Sequence, residues 1–434
     1  MKIALIGAGS VVFTKNLLGD ILSFPELDHC MISLHDIDPI RLETARLMAA
    51  ATAQRLNVSP QIEAHLDRRE ALRNAKYVIN MIQVGGHAAT LIDFEIPRKY
   101  GLKQTIADTH GVGGIFRALR TIPVMLNIAR DMETVCPGAI LLNYTNPMAM
   151  LCWAVFESSA IPIVGLCHSV QHTTAQMSSY AGIPYEEVTY LGGGINHVAW
   201  ILRFEHHGQD AYPLLRNALE EGRIPKTDRV RAELFRSLGY YVTESSEHNA
   251  EYSSLFIPHD GEIERLNIPI NEYIRRSEEN LKEFQQIRAA LLQGESFPVE
   301  RSAEYASLII HSMETGQPRV IYGNVRNDGL IDNLPEGCCV EVPCLVDQNG
   351  VQPTRLGALP PQLAGLSRQH VAVQELAVRA VLDSNHDHIF HAVMHDPLAA
   401  ATMPLPRLRD MTDELIAAHG TALPEALRLA KVSS

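Results

Sequence analysis

Over residues 2–166, short apolar runs alternate with stretches whose apolar positions recur at helical spacing. Lys2–Ile6 and Met31–Leu34 read as strands, and Tyr77–Val84 reads as a strand buried on both faces. Ala139–Leu142 and Ile161–Leu166 read as two more. Between them, Leu17, Leu18, Ile21 and Leu22 share a helical face, and Arg41–Arg55 is an Ala-rich helix. Ile115, Leu119, Ile122, Leu126 and Ala129 form a further stripe, which Pro123 interrupts. Asn146-Pro147 resembles an N-cap followed by proline at the first helical position. Strand and helix alternating in this order predict an α/β fold with a doubly wound parallel sheet over residues 1–195.

The alternation fades beyond that point. Helical patterns cover Asp210–Leu238, Asn271–Leu292, Arg368–Leu382 and Asp410–Ala418. Val340–Val346 and Val351–Leu356 flank Asn349-Gly350, a hairpin signal. Residues 196–434 are therefore expected to form an α+β domain for substrate binding and oligomerisation.

Composition narrows the partners. The formal net charge is −13 and no Lys/Arg run stands out, so a nucleic-acid or anionic-membrane surface is not expected. No apolar run approaches the ~18–20 residues that span a bilayer. The opening MKIALIGAGSVVF is interrupted by Gly7 and Gly9 and lacks a cleavage site, so it reads as a first strand and not a secretion signal. Seven cysteines, an odd number, predict reduced thiols in a cytoplasm.

Gly7-Ala8-Gly9-Ser10 follows a strand and opens a helix. The first glycine permits a tight turn, the second lets backbone approach a pyrophosphate, and the helix N-terminus favours its charge. Val12 stands where a third glycine would complete the Rossmann fingerprint. Asp36 ends the next strand and can bind ribose hydroxyls, which favours NAD over its 2′-phosphorylated form; Asp38 is the alternative. Gln83-Val84-Gly85-Gly86 follows another strand and is expected to line the same cofactor.

A second constellation follows predicted strands: Asn143 and Asn146, then Cys167 and His168, then Asn196 and His197. The rule for parallel sheets places all three loops on one edge. A thiolate and an imidazole suit a borderline divalent metal. Each residue alone is as readily structural, Cys167 as a small apolar side chain and His197 as a core histidine.

IGAGS at 6–10, IADTHGVGGI at 106–115, NYTNPMAM at 143–150, GLCHSV at 165–170 and GINHVAW at 194–200 resemble glycoside hydrolase family 4. SSEHNAEY at 245–252 and the block at 320–347 extend the likeness and resemble its melibiase branch. The resemblance implies a lactate/malate dehydrogenase-like fold, NAD and a divalent metal, usually manganese. It implies hydrolysis of α-galactosides without the usual carboxylate pair. NAD oxidises the sugar at C3, the metal stabilises the enediolate, a base removes the C2 proton and the aglycone is eliminated; water then adds. Cys167 and His197 match the metal ligands, and His168 is either a third ligand or the group that aids the leaving aglycone. Asn146 matches a substrate-binding asparagine, and Asp108 is expected to face substrate or nicotinamide. Tyr252 is the expected C2 base, with Glu251 as the alternative. His110 and Val112 depart from the family pattern. The expected assembly is a homodimer or homotetramer. A 2-hydroxy-acid dehydrogenase, or a family member acting on α-glucosides or α-galacturonides, is the alternative activity.

Overall fold

The computed structural model describes residues 1–428, so residues 429–434 of the expected second domain lie outside the described residues. Six parallel strands form the N-terminal part: β1 (Lys2–Ile6), β2 (Met31–His35), β3 (Gln61–His65), β4 (Tyr77–Asn80), β5 (Ile140–Asn143) and β6 (Ile163–Leu166). Their spatial order is 3-2-1-4-5-6, the doubly wound order whose crevice lies beyond the strand ends at β1 and β4. β1, β4, β5 and β6 are almost wholly buried, which explains their continuous apolar runs. β3 has mixed burial at the open edge, so its sequence carries no such run.

The sheet does not stop at the expected boundary. β7 (Val188–Ile195), β8 (Val198–His206), β9 (Gln209–Asp210) and β10 (Tyr241–Val242) join it. So do β11 (Arg319–Arg326), β12 (Cys339–Asp347) and β13 (Gly350–Pro353). β11 pairs antiparallel with β6, β12 with β11, and β7 with β12. Residues 195 and 196 thus lie at the tip of the β7–β8 hairpin, inside one continuous sheet. Gly192–Gly194 belong to β7.

Helix Gly111–Val135 includes Pro123 and takes Gly111–Gly114 as its first turn. It is long and apolar enough to span a bilayer by composition, contrary to the sequence expectation, but it is a core helix, mostly buried. Helix Met148–Ser158 begins one residue later than expected: Pro147 is the capping residue, after a cis Asn146–Pro147 peptide. Helices Pro361–Leu382 and Leu405–His419 pack the C-terminal part against this core.

One buried ion pair ties these layers together. Arg120 donates to both oxygens of Asp93, at 3.1 and 2.6 Å, and to the Val84 carbonyl at 3.1 Å. His419 Nε2 lies 2.9 Å from Asp93. Arg120→Met would leave Asp93 buried with one weak partner, so it should cost about 3–5 kcal/mol. An unchanged thermal midpoint would count against that role.

Candidate active site

Gly7 has φ +84°, a turn that favours glycine, and its N–H donates to the His35 carbonyl at 2.9 Å. Gly9 N–H donates to Asp36 Oδ2 at 2.8 Å, and a Cβ on Gly9 would lie 2.4 Å from that oxygen. The glycine is therefore needed for the acid at the end of β2 to approach. Asp38 caps helix Pro39–Leu56, accepting from Ile40 and Arg41. A cleft of about 760 Å³ opens here, in the range of small-molecule sites. Gly7, Gly9, Ser10, Asp36, Gln83 and Gly85 all line it.

A chain of contacts links the cleft to the second constellation. Tyr273, on its wall, accepts from Arg117 Nη1 at 3.0 Å, and Arg117 Nε donates to the Asn146 carbonyl at 3.1 Å. Asn146 Nδ2 reaches Asp108 at 3.5 Å, while its Oδ1 is buried without a protein partner. That spare acceptor is available to a ligand hydroxyl or amide.

Cys167 follows β6, and His197 sits in the β7–β8 turn at φ +65°. Because β7 runs antiparallel to β6, the rule for parallel strands does not place His197 here; the turn does. Cys167, His197 and Glu244 each bring a donor atom within 4.8 Å of the others, and Asp108, His197 and His248 form a second such trio. His168 is in neither trio. Its Nδ1 lies 3.2 Å from Glu304 and its ring lies tilted against that of His172.

Tyr252 ends the short helix Ser246–Glu251 and is buried, its hydroxyl 2.9 Å from His197 Nδ1. The ring meets His110 edge-on at 4.6 Å, and His370 of helix Pro361–Leu382 lies behind. The departing residue His110 is thus a packing partner of Tyr252, and its Nε2 pairs with the Asn196 carbonyl. Glu251, the alternative base, is committed elsewhere: its carboxylate accepts from Thr105 and Ala107 N–H, both at 2.7 Å, and fixes the loop that carries Asp108.

Charge in the site is finely opposed. Burial, then Glu341 and Glu244, push the Cys167 thiol well up. Burial, then Asp108, Glu251 and Glu244, do the same to the Tyr252 phenol. Burial works against charge on Glu244, but His197, His248 and His168 outweigh it and hold the carboxyl at about 2. Glu341, on β12, is raised to about 8 by burial and by Glu244. A cation among these groups would favour the thiolate and phenolate. Glu244, His248, Glu304 and Glu341 escaped the sequence reading. The doublet Glu247-His248 in SSEHNAEY and the acid inside the apolar Val340–Val346 run were their only local signals.

A cleft over a glycine turn, linked through Tyr273, Arg117 and Asn146 to a thiol–imidazole–carboxylate cluster and a phenol, defines a dehydrogenase-type sheet equipped for more than hydride transfer. Residues 2–183 match family 4 glycosyl hydrolases, and residues 193–399 match that family's C-terminal domain. The chain belongs to family 4 of the glycosyl hydrolases. It is 46% identical over 428 residues to an α-galactosidase of Bacillus subtilis, covering 98% of this chain and 99% of the relative. An α-galactosidase of Rhizobium meliloti is 35% identical, covering 98% and 89%. A 6-phospho-α-glucosidase from gut microorganisms, solved with NAD and Mn2+, superposes with a TM-score of 0.81 at 19% identity, covering 98% and 99%.

Proposed function

We propose that this chain hydrolyses α-galactosides with NAD in the Gly7–Gly9 cleft and a divalent cation, manganese by preference, at Cys167 and His197. The observation that carries the reading is the convergence of Cys167, His197 and Tyr252, with Asn146 joined through Arg117 to Tyr273 on the cleft wall. The residues suit both groups: a glycine turn with Asp36 for a dinucleotide, and mixed sulfur, nitrogen and oxygen donors for a borderline cation.

When bound, NAD supplies reversible oxidation at C3 of the sugar and the cation stabilises negative charge on the neighbouring oxygens. Tyr252 Oη, made more acidic by that cation, takes the C2 proton. Asn146 Oδ1 accepts from a sugar hydroxyl, and Asp108 orients Asn146. His168, whose pKa is raised by its bond to Glu304 against the opposing effect of burial, gives a proton to the leaving oxygen. The groups that face His197 include Glu244, Asp108 and His248. Arg117 is already engaged by Tyr273 and the Asn146 carbonyl. A phosphate or uronate would meet carboxylates here, which favours a neutral sugar.

We place the enzyme in the cytoplasm, as a homodimer or homotetramer. All seven cysteines are unpaired, as a reducing compartment would keep them.

p-Nitrophenyl α-galactoside should be cleaved only with NAD and a divalent cation present, under reducing conditions and without net NADH. NADH accumulating in proportion to product would replace this reading with that of a hydroxy-acid dehydrogenase.

A further inference from the structure

Glu244 follows β10 and precedes helix Ser246–Glu251. Its φ is +67°, a strained region that a residue with a side chain seldom occupies. The strain aims a carboxylate into the cluster. Oε2 lies 3.5 Å from His197 Nε2, and Oε1 lies 3.5 Å from His248 Nδ1. Ser245, the cap of the following helix, holds His248 Nδ1 at 2.8 Å and so fixes the neighbouring residue. Both Glu244 contacts are too long to be strong hydrogen bonds. The His197 contact is near the separation of two ligands sharing one cation, roughly 3–3.5 Å for bonds of about 2.1 Å.

The competing trio is poorer. Asp108 Oδ1 already accepts from Thr109 at 2.7 Å, and His248 Nε2 is 3.9 Å away. Charge points the same way. A dication held by one thiolate and one imidazole leaves a net positive charge in a buried pocket, whereas a second anionic ligand removes it.

We propose that Glu244 is the third protein ligand of the divalent cation, completing a Cys167–His197–Glu244 set that retains the ion before any sugar arrives. The inference rests on the cation assignment above. A cation held by three protein ligands would be in place before the sugar, so sugar binding would add to its coordination and not create it.

The test is Mn2+ binding to the NAD-saturated protein, read from the free-ion EPR signal with and without galactose. Wild type should bind Mn2+ without galactose. Glu244→Gln should bind it at least about 100-fold more weakly, with galactose recovering part of the loss. Glu244→Gly relieves the backbone strain, so it should be no less thermally stable than wild type, yet equally weak for Mn2+. NAD affinity should be unchanged in both. Wild type failing to bind Mn2+ would remove the cation reading itself. Wild type binding Mn2+ with Glu244→Gln and Glu244→Gly matching it would overturn the Glu244 assignment alone. So would loss of affinity in Asp108→Asn but not in the Glu244 variants.

Discussion

Cys167→Ser should abolish α-galactosidase activity, by about a thousand-fold or more, while leaving NAD binding intact. The thiol is the softest donor in the cluster, and it must ionise to bind a cation. Burial and the neighbouring Glu341 and Glu244 hold it protonated in the cation's absence, so cation binding at neutral pH should release a proton. A serine hydroxyl at that position does not ionise and gives a weaker bond. A cation contributes several kcal/mol of charge stabilisation to such a reaction, and each 1.36 kcal/mol is tenfold in rate. The nucleotide cleft has no wall residue at Cys167, which is why NAD should still bind. Titration calorimetry with Mn2+ in buffers of different ionisation enthalpy measures both affinity and proton release. Wild-type affinity in the serine variant would take Cys167 out of the site.

Tyr252→Phe should lower kcat by about 10²–10⁴-fold, the range for loss of a general base. The substitution removes only the hydroxyl that lies 2.9 Å from His197 Nδ1 and keeps the ring against His110 and His370. Fold, NAD affinity and Mn2+ affinity should therefore survive. Burial raises the phenol, so its use as a base depends on the neighbouring cation, and the activity should respond steeply to which cation is present. The direct measurement is exchange of the sugar C2 hydrogen in D2O, which wild type should catalyse and the phenylalanine variant should not. Exchange at the wild-type rate in the variant would move the base to another residue. Glu251 is a poor candidate, because its oxygens are held by the Thr105 and Ala107 backbone.

The sheet's parallel half was legible because each strand declares itself locally. Four of the six parallel strands are buried apolar runs, and β2 is short and apolar in its core. The Asn349-Gly350 turn announced the β12–β13 hairpin in the same way. β3, half exposed at the edge, gave no comparable pattern. β7 carries little apolar alternation because three of its residues are glycines. In the folded chain they admit side chains from elsewhere: Val170 lies 2.9 Å from where a Gly192 Cβ would be, and Leu356 lies 2.4 Å from that of Gly193. Motif resemblance singled out Cys167, His197 and Tyr252, which lie together in the fold, and left His168 as third ligand or leaving-group aid; its side chain pairs with Glu304.

The sequence by itself determined the alternation of strands and helices, the glycine turn with its acid at Asp36, and the set of chemical groups available. These depend on periodicity and on neighbours a few residues apart. Only the tertiary structure decided that the second half extends the same sheet, that His197 arrives on an antiparallel turn, and that Glu244 lies beside His197 while His168 pairs with Glu304. Hydrophobic periodicity records which face of a strand is buried but not which strand lies beside it. The direction of a carboxylate at φ +67° depends on a backbone conformation that no local residue preference encodes.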